Sequence, residues 1–456
     1  MANLGDRYTL ASELTQAFLD ASWTAERLAE TGAACLGRWP AWMYGLTEHV
    51  VAVHGGAPLN RRRQLFTLIL DFLDAHVTAE EDLTPWSGQR PIAQPQRERQ
   101  VQPRAGRPPG LDAWQLPEIP TVTDLAERLE LSPGQLEWLA DVRGLERTVT
   151  REQLRNYRYL ALPRRGAMPR VIEAPKLRLK QVQRWILREV LVEVPAHSAA
   201  HGFVAGRSVV SHAELHTGRR VVLRLDLEDF FASVPAGRVY RTWRTLGYDP
   251  SVAHVLTGLT TNVVPLAVWQ HITSSTPTDA VQARFWFGRQ LATPHLPQGA
   301  PTSPALANLA AFRLDRRLAR LAEATGLRYS RYADDLTFSG GTRLIRRRGE
   351  FEALVGRIVR GEGFQLNIGK SMTQAAGGRQ VVCGVVVNVR TNARRAEYDE
   401  LRAILHNAAR SGPASQNRDG IEDFRAHLLG RISWMEALNP GRGLRLRELY
   451  AVIDWS

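Results

Sequence analysis

Only two cysteines occur among the 456 residues, Cys35 and Cys383, which excludes a disulfide framework and a zinc cluster built on paired cysteines. Long apolar runs are missing, and the first residues lack the basic-then-apolar order of a secretory signal. No membrane partner is therefore expected, and a reducing, cytoplasmic setting is. Acidic residues are in deficit, with 46 Asp and Glu facing 59 Lys and Arg for a formal net charge of +13. Such an excess suits a polyanionic partner, and with membranes set aside nucleic acid is the first candidate. The chain is long enough for two or three cores, and its 44% hydrophobic content is that of a folded protein.

Residues 1–84 place apolar side chains at helical spacing, from Leu14, Phe18 and Leu19 to Leu65, Leu68, Ile69, Phe72 and Leu73. With Trp23, Trp39 and Trp42 as added bulk, they predict a helical N-terminal extension around a small core. Residues 85–118 turn to Pro, Gln, Arg and Gly and read as an exposed linker. In the helical lead-in that follows, Ser132-Pro133-Gly134-Gln135 combines an N-cap, a first-position proline and a capping-box glutamine. Tyr157 to Leu162 and Arg170 to Glu173 predict two strands joined by a basic turn. Arg164, Arg165 and Arg170 on this hairpin either suit a triphosphate, because guanidinium forks bind phosphate oxygens in pairs, or form a solvent-facing charged turn. The next helix is expected to turn Leu177, Val182, Ile186, Leu187 and Val190 inward. Residues 260–290, with Trp269, Trp286 and Phe287, read as an insertion that is either a packed flap or a base-stacking surface.

The chemistry concentrates in Arg328 to Gly340, RYSRYADDLTFSG. Two strand-like runs flank Asp334-Asp335 at a tight turn, and two adjacent like charges call for a shared cation. Hard carboxylate oxygens suit magnesium, which takes few protein ligands and keeps water and phosphate in its other positions. Upstream, Val221 to Leu227 is a near-continuous apolar run interrupted by Asp226, as expected of a strand buried on both faces that carries one functional acid. If this strand lies beside the Asp334-Asp335 hairpin, three carboxylates meet at one sheet edge, the arrangement that two-metal phosphoryl transfer requires. Phe231 would then stand next to the sugar of an incoming nucleotide and exclude a 2′ hydroxyl, leaving the core to Phe230.

Asp226 with Phe231 is followed by Leu296-Pro297-Gln298-Gly299-Ala300-Pro301-Thr302-Ser303-Pro304, then Tyr332-Ala333-Asp334-Asp335, then Gly363-Phe364-Gln365-Leu366-Asn367 with Lys370-Ser371. The order of these elements resembles the reverse transcriptases. His201-Gly202-Phe203, Gly206-Arg207-Ser208 and the ending from Arg431 to Trp455 resemble the bacterial retron enzymes in particular. Two of that group's elements depart from type: Asn-Ala-x-x-His reads His212-Ala213-Glu214-Leu215-His216, and Val-Thr-Gly reads Val382-Cys383-Gly384. With no third metal ligand, His212 and His216 are read as structural or RNA-facing.

The resemblance implies an α+β right-hand polymerase with an added N-terminal helical region: fingers within 119–220, palm over 221–396 and thumb over 397–456. It implies RNA-directed DNA synthesis with magnesium ions (Mg2+) held by Asp226, Asp334 and Asp335. Arg165, Arg170, Phe231, Gln298 and Lys370 would bind the nucleotide, with Lys370 a proton donor to pyrophosphate. Arg207, His216, Arg394, Arg395, Arg402 and His406 would contact nucleic acid. Expected partners are a structured noncoding RNA, the RNA-DNA hybrid, deoxynucleoside triphosphates and an effector protein, in a system serving antiphage defence. No ribonuclease H pattern follows the thumb, so degradation of the RNA strand is expected to need another protein. The competing readings are a defence-associated or group II intron-derived enzyme without a retron RNA, an idle RNA-binding scaffold, and a nucleotidyl cyclase.

Overall fold

The structure, a computed structural model, describes residues 4–19, 21, 23–36, 39–54, 62–76, 114–164, 167–273 and 281–455. The chain divides into two units, Met1–Gln102 and Pro103–Ser456. In the first, helices α1 (Leu4–Leu19), α2 (Ala25–Leu36), α3 (Met43–His54) and α4 (Arg62–His76) enclose Leu14, Phe18, Leu28, Met43, Leu46, Leu65, Ile69 and Leu73. Trp23 and Trp42 pack on this core, but Trp39 is 54% exposed and adds nothing to it, contrary to expectation.

The second unit begins earlier than the expected linker allows. Leu116 is buried in the main core, so the described end of that stretch is packed; residues 85–113 lie outside the described residues. Helices α5 (Val122–Arg128) and α6 (Pro133–Leu139) each start with a full capping box and turn Leu125, Leu136 and Leu139 into the same core. Strands β1 (Tyr157–Arg164) and β2 (Ala167–Pro175) form the expected antiparallel ribbon. Helix α7 (Leu177–Glu189) buries Leu179, Val182, Gln183 and Ile186, a stripe at intervals of three and four. Leu177, expected inward, is 71% exposed, because it lies in the first turn ahead of that stripe.

After α8 (Val209–Glu214) comes β3 (Val221–Leu227), then α9 (Ala236–Thr245), α10 (Pro250–Thr260), α11 (Leu266–Thr273), α12 (Val281–Leu291), α13 (Ser303–Ala310) and α14 (Phe312–Ala324). Within the expected insertion, Trp269 is 9% exposed and meets Phe287 edge-on at 5.6 Å, while Val171 of β2 packs in the same cluster. Trp269 is thus a packing residue rather than a stacking platform. The hairpin β4 (Arg328–Tyr332) and β5 (Asp335–Gly340) leads to α15 (Arg343–Arg346), α16 (Arg348–Gly361), β6 (Leu366–Ala375), β7 (Val381–Val382) and β8 (Val385–Val386). Three helices close the described chain, α17 (Arg395–Ser411), α18 (Phe424–Leu438) and α19 (Pro440–Ala451). No described helix is long and apolar enough to cross a membrane.

A four-stranded antiparallel sheet in the order β4-β5-β3-β6 lies at the centre of this unit. Its two faces follow from the period of two along each strand. Val221, Leu223, Leu225 and Leu227 of β3, with Leu336 and Phe338 of β5, enter the core that includes Leu314 and Leu318 of α14 and Phe351, Val355 and Val359 of α16. The alternate residues Val222, Arg224 and Asp226 share the opposite face. There Val222 joins a second core with Val382, Val385, Tyr398, Leu401, Leu428 and Leu446, which ties α17, α18 and α19 to the sheet.

Candidate active site

Strand register brings the acids together. Asp226 lies directly opposite Asp335 in the β3–β5 pairing, while Tyr332 opposite Asp335 leaves Ala333 and Asp334 as a two-residue turn. The Leu227 amide donates to the Asp334 carbonyl at 2.8 Å, fastening the turn to the end of β3. Ala333 adopts φ of 54°, the left-handed region that costs a residue with a Cβ about 1 kcal/mol or more. The surroundings hold it there: Arg331 Nη1 donates to the Ala333 carbonyl at 2.9 Å, and Gly202 fits so closely that a Cβ on it would stand 2.6 Å from the Ala333 nitrogen.

Each acid has a different electrostatic setting. Lys370 Nζ of β6 donates to Asp226 Oδ2 at 2.9 Å. Arg224, two residues before Asp226 and therefore on its face, pairs with Asp335, its Nε 3.1 Å from Oδ2. The Cys383 thiol donates to the same oxygen at 3.6 Å; burial and that carboxylate push its pKa up to about 12. Asp334 has no ion pair among the described residues, and burial together with the nearby Asp226 charge raises its pKa.

As they stand, no three acidic, histidine or cysteine side chains among the described residues close tightly enough to enclose a metal. In donor chemistry the trio does fit a hard divalent cation, for every donor is a carboxylate oxygen and Asp334 has no ion pair of its own among the described residues.

Phe231 is half-buried beside Phe203 and Phe230, at ring separations of 6.2 and 5.6 Å, while Phe230 takes the core position against Phe364. The Gln298 carbonyl accepts from the Glu173 amide at 2.8 Å, which seats its loop on β2. Arg170 is exposed on β2, and Arg165 lies outside the described residues. Arg207 turns inward to the carbonyls of Ser198 and Ala200. Arg394 precedes α17, and Arg395, Arg402 and His406 lie on its exposed side; the three arginines are within 4 Å of Glu397 or Asp399.

His216 requires a correction. It has no exposure, and its ring nitrogens meet Ser339 Oγ and Ser330 Oγ, both at 2.7 Å, so it cannot face nucleic acid. His212 is equally buried, 2.8 Å from Ser330 Oγ. Both histidines therefore pin the segment 212–216 to the β4–β5 hairpin that carries Asp334. Sequence reasoning also missed Arg224, although period-two alternation from Asp226 points to it, and it missed the buried pair of Arg331 with Asp315.

Comparison with known proteins accords with this geometry. Residues 162–375 match the family model described as reverse transcriptase (RNA-dependent DNA polymerase). The Retron Mx65 reverse transcriptase of Myxococcus xanthus is 41% identical over 346 residues, covering 74% of this chain and 71% of that protein. The chain belongs to the retron reverse transcriptases. The Retron Mx162 enzyme of the same organism is 35% identical, over 72% of this chain and 66% of its own, and the Retron Ec86 enzyme of Escherichia coli 30% identical, over 55% and 69%. This retron reverse transcriptase is accordingly an RNA-directed DNA polymerase, and the four-stranded sheet lies within the residues that the family model matches.

The buried histidines are expected to make the enzyme's fold acid-sensitive. Burial, then the other histidines, lower the pKa of His212 to about 2 and of His216 to about 3. Unfolded, each titrates near the ordinary value of about 6.5, so the neutral form stabilises the fold above that pH and the contribution is lost as pH falls below it. Each is expected to remove up to about 1.4 kcal/mol per pH unit. Urea unfolding midpoints between pH 7 and 5.5 check this, and a midpoint that stays level would contradict it.

Proposed function

We propose that this reverse transcriptase extends a primer hydroxyl with deoxynucleoside triphosphates on a structured noncoding RNA, using two magnesium ions, and that it serves antiphage defence beside an effector protein. The β1–β2 ribbon and the region before it act as fingers, the four-stranded sheet as palm and α17 to α19 as thumb. The observation that carries this reading is the register setting Asp226 opposite Asp335 with Asp334 on the adjoining turn. Asp226 and Asp334 would hold both ions with Asp335 in support, and bound ions supply hydroxyl activation and charge neutralisation at the departing pyrophosphate.

The chain's own residues divide the remaining work. Arg165 and Arg170 clamp phosphates, Gln298 meets the nucleotide and template, and Phe231 screens the sugar for a 2′ hydroxyl. Lys370, bonded to Asp226, turns to the triphosphate and donates a proton to pyrophosphate. Arg394, Arg395, Arg402 and His406 grip the duplex backbone without reading sequence, and Arg207 contacts nucleic acid from beside the Ser198 and Ala200 carbonyls it binds.

The test is synthesis on the cognate transcript. Purified protein, the noncoding RNA encoded beside it, magnesium and labelled deoxynucleotides are expected to yield DNA joined to RNA. DNA made equally well on any primed RNA would overturn the retron-specific part. No DNA on either template would overturn the whole.

A further inference from the structure

Away from the carboxylates, a buried charge pair joins the two elements that carry the proposed nucleotide contacts. Glu173 of β2 and His295, just ahead of the Gln298 loop, are each 1% exposed, with His295 Nε2 2.9 Å from Glu173 Oε1. The other ring nitrogen, Nδ1, is 2.7 Å from the Thr293 carbonyl oxygen. With Glu173 ionised, the carboxylate and the carbonyl can only accept, so both nitrogens donate, and only the imidazolium carries two N–H groups. His212 and His216 differ here, since their hydroxyl partners satisfy a neutral ring.

The second Glu173 oxygen is also engaged. Asn262 Nδ2 donates to Glu173 Oε2 at 2.7 Å and to Tyr159 Oη at 3.1 Å, and Tyr159 in turn donates to Glu146 Oε1 at 2.8 Å. The charged and titratable groups around the pair are Tyr157 and Tyr159 from β1 and Glu146 ahead of β1. The backbone is bound in parallel. The Glu173 amide donates to the Gln298 carbonyl, and Asn262 and His295 exchange both of their backbone hydrogen bonds. At Gly299, with φ of 135°, a Cβ would come within 2.9 Å of the Glu173 carbonyl oxygen, so strand and loop touch with no room to spare.

We propose that the His295–Glu173 ion pair is a positioning latch for the incoming nucleotide, fixing the distance between Arg170, three residues before Glu173 on β2, and Gln298, three residues after His295. The inference rests on the reading above in which Arg170 and Gln298 contact the nucleotide. Buried polar clusters of this kind hold one arrangement when fully satisfied and release it when one member changes charge. Burial opposes the imidazolium, but the Glu173 carboxylate and its hydrogen bond outweigh it and raise the His295 pKa above its ordinary value. The latch is therefore intact below that raised value and opens as pH climbs through it.

Steady-state kinetics on a homopolymer RNA with a DNA primer, run from pH 6 to 9, test this without any variant. In the wild type the KM for the deoxynucleotide is expected to rise on the order of tenfold as pH climbs through the raised His295 value, with kcat changing much less. In Glu173→Gln the KM should be high throughout and the pH-dependent rise absent. Glu173→Asp, which keeps the charge, should restore the rise in part. A wild-type KM that is level with pH, or a Glu173→Gln enzyme with the wild-type profile, would overturn the latch even if melting shows a less stable fold. Arg170→Ala and Gln298→Ala separate the two readings. If neither raises the KM, the nucleotide assignment itself is wrong; if both do while the wild-type profile stays level, only the latch is.

Discussion

Asp334→Asn is expected to lower DNA synthesis by about 10³-fold or more while leaving the fold at least as stable as the wild type. The asymmetry follows from the charges around the three acids. Asp226 and Asp335 each have a basic partner, Lys370 and Arg224, whereas Asp334 has none among the described residues and its carboxyl is pushed up by burial and by Asp226. Removing its charge relieves a repulsion in the free enzyme, so thermal melting should not fall. The same removal takes away the acid proposed to share a divalent cation with Asp226. Single-turnover primer extension beside a melting curve separates the effects. Retention of more than a tenth of the wild-type rate would show that Asp334 is not a ligand in the reaction.

Much of this site was legible in the sequence because burial makes charge expensive. An aspartate inside the apolar run Val221 to Leu227 and a double aspartate between two strand-like runs each needed a reason to exist. The period of two then placed Asp226 on the face away from Leu225 and Leu227. What could not be read was what each face meets. The four-residue spacing of His212 and His216 fixes a shared side but not its neighbours, which are hydroxyls more than a hundred positions away in the chain. Leu177 failed for a related reason, since apolar spacing does not reveal where along a helix the covered stripe begins. Nothing in the sequence links Glu173 to His295, and only the seating of the Gln298 loop on β2 brings them together.

Asp315→Ala should be among the most damaging substitutions outside the acids, costing about 3–5 kcal/mol of stability. Asp315 of α14 and Arg331 of β4 are wholly buried and joined by two hydrogen bonds, Nε to Oδ1 at 2.8 Å and Nη2 to Oδ2 at 2.6 Å. Tyr329 Oη donates to the same carboxylate at 2.8 Å, and the guanidinium lies over the Phe230 ring, 5.4 Å from its centre. Removing the acid leaves a cation in an apolar core with no counter-charge, and that is the source of the cost. Replacing both partners with apolar residues, as in Asp315→Leu with Arg331→Met, removes the stranded charge and should recover most of the stability in urea unfolding. Activity should not recover with it. Arg331 Nη1 also holds the Ala333 carbonyl, and without that bond the left-handed turn that presents Asp334 loses one of its supports. A double variant as stable and as active as the wild type would show that the pair serves the fold alone; one that is stable but slow would show that it also aims the turn.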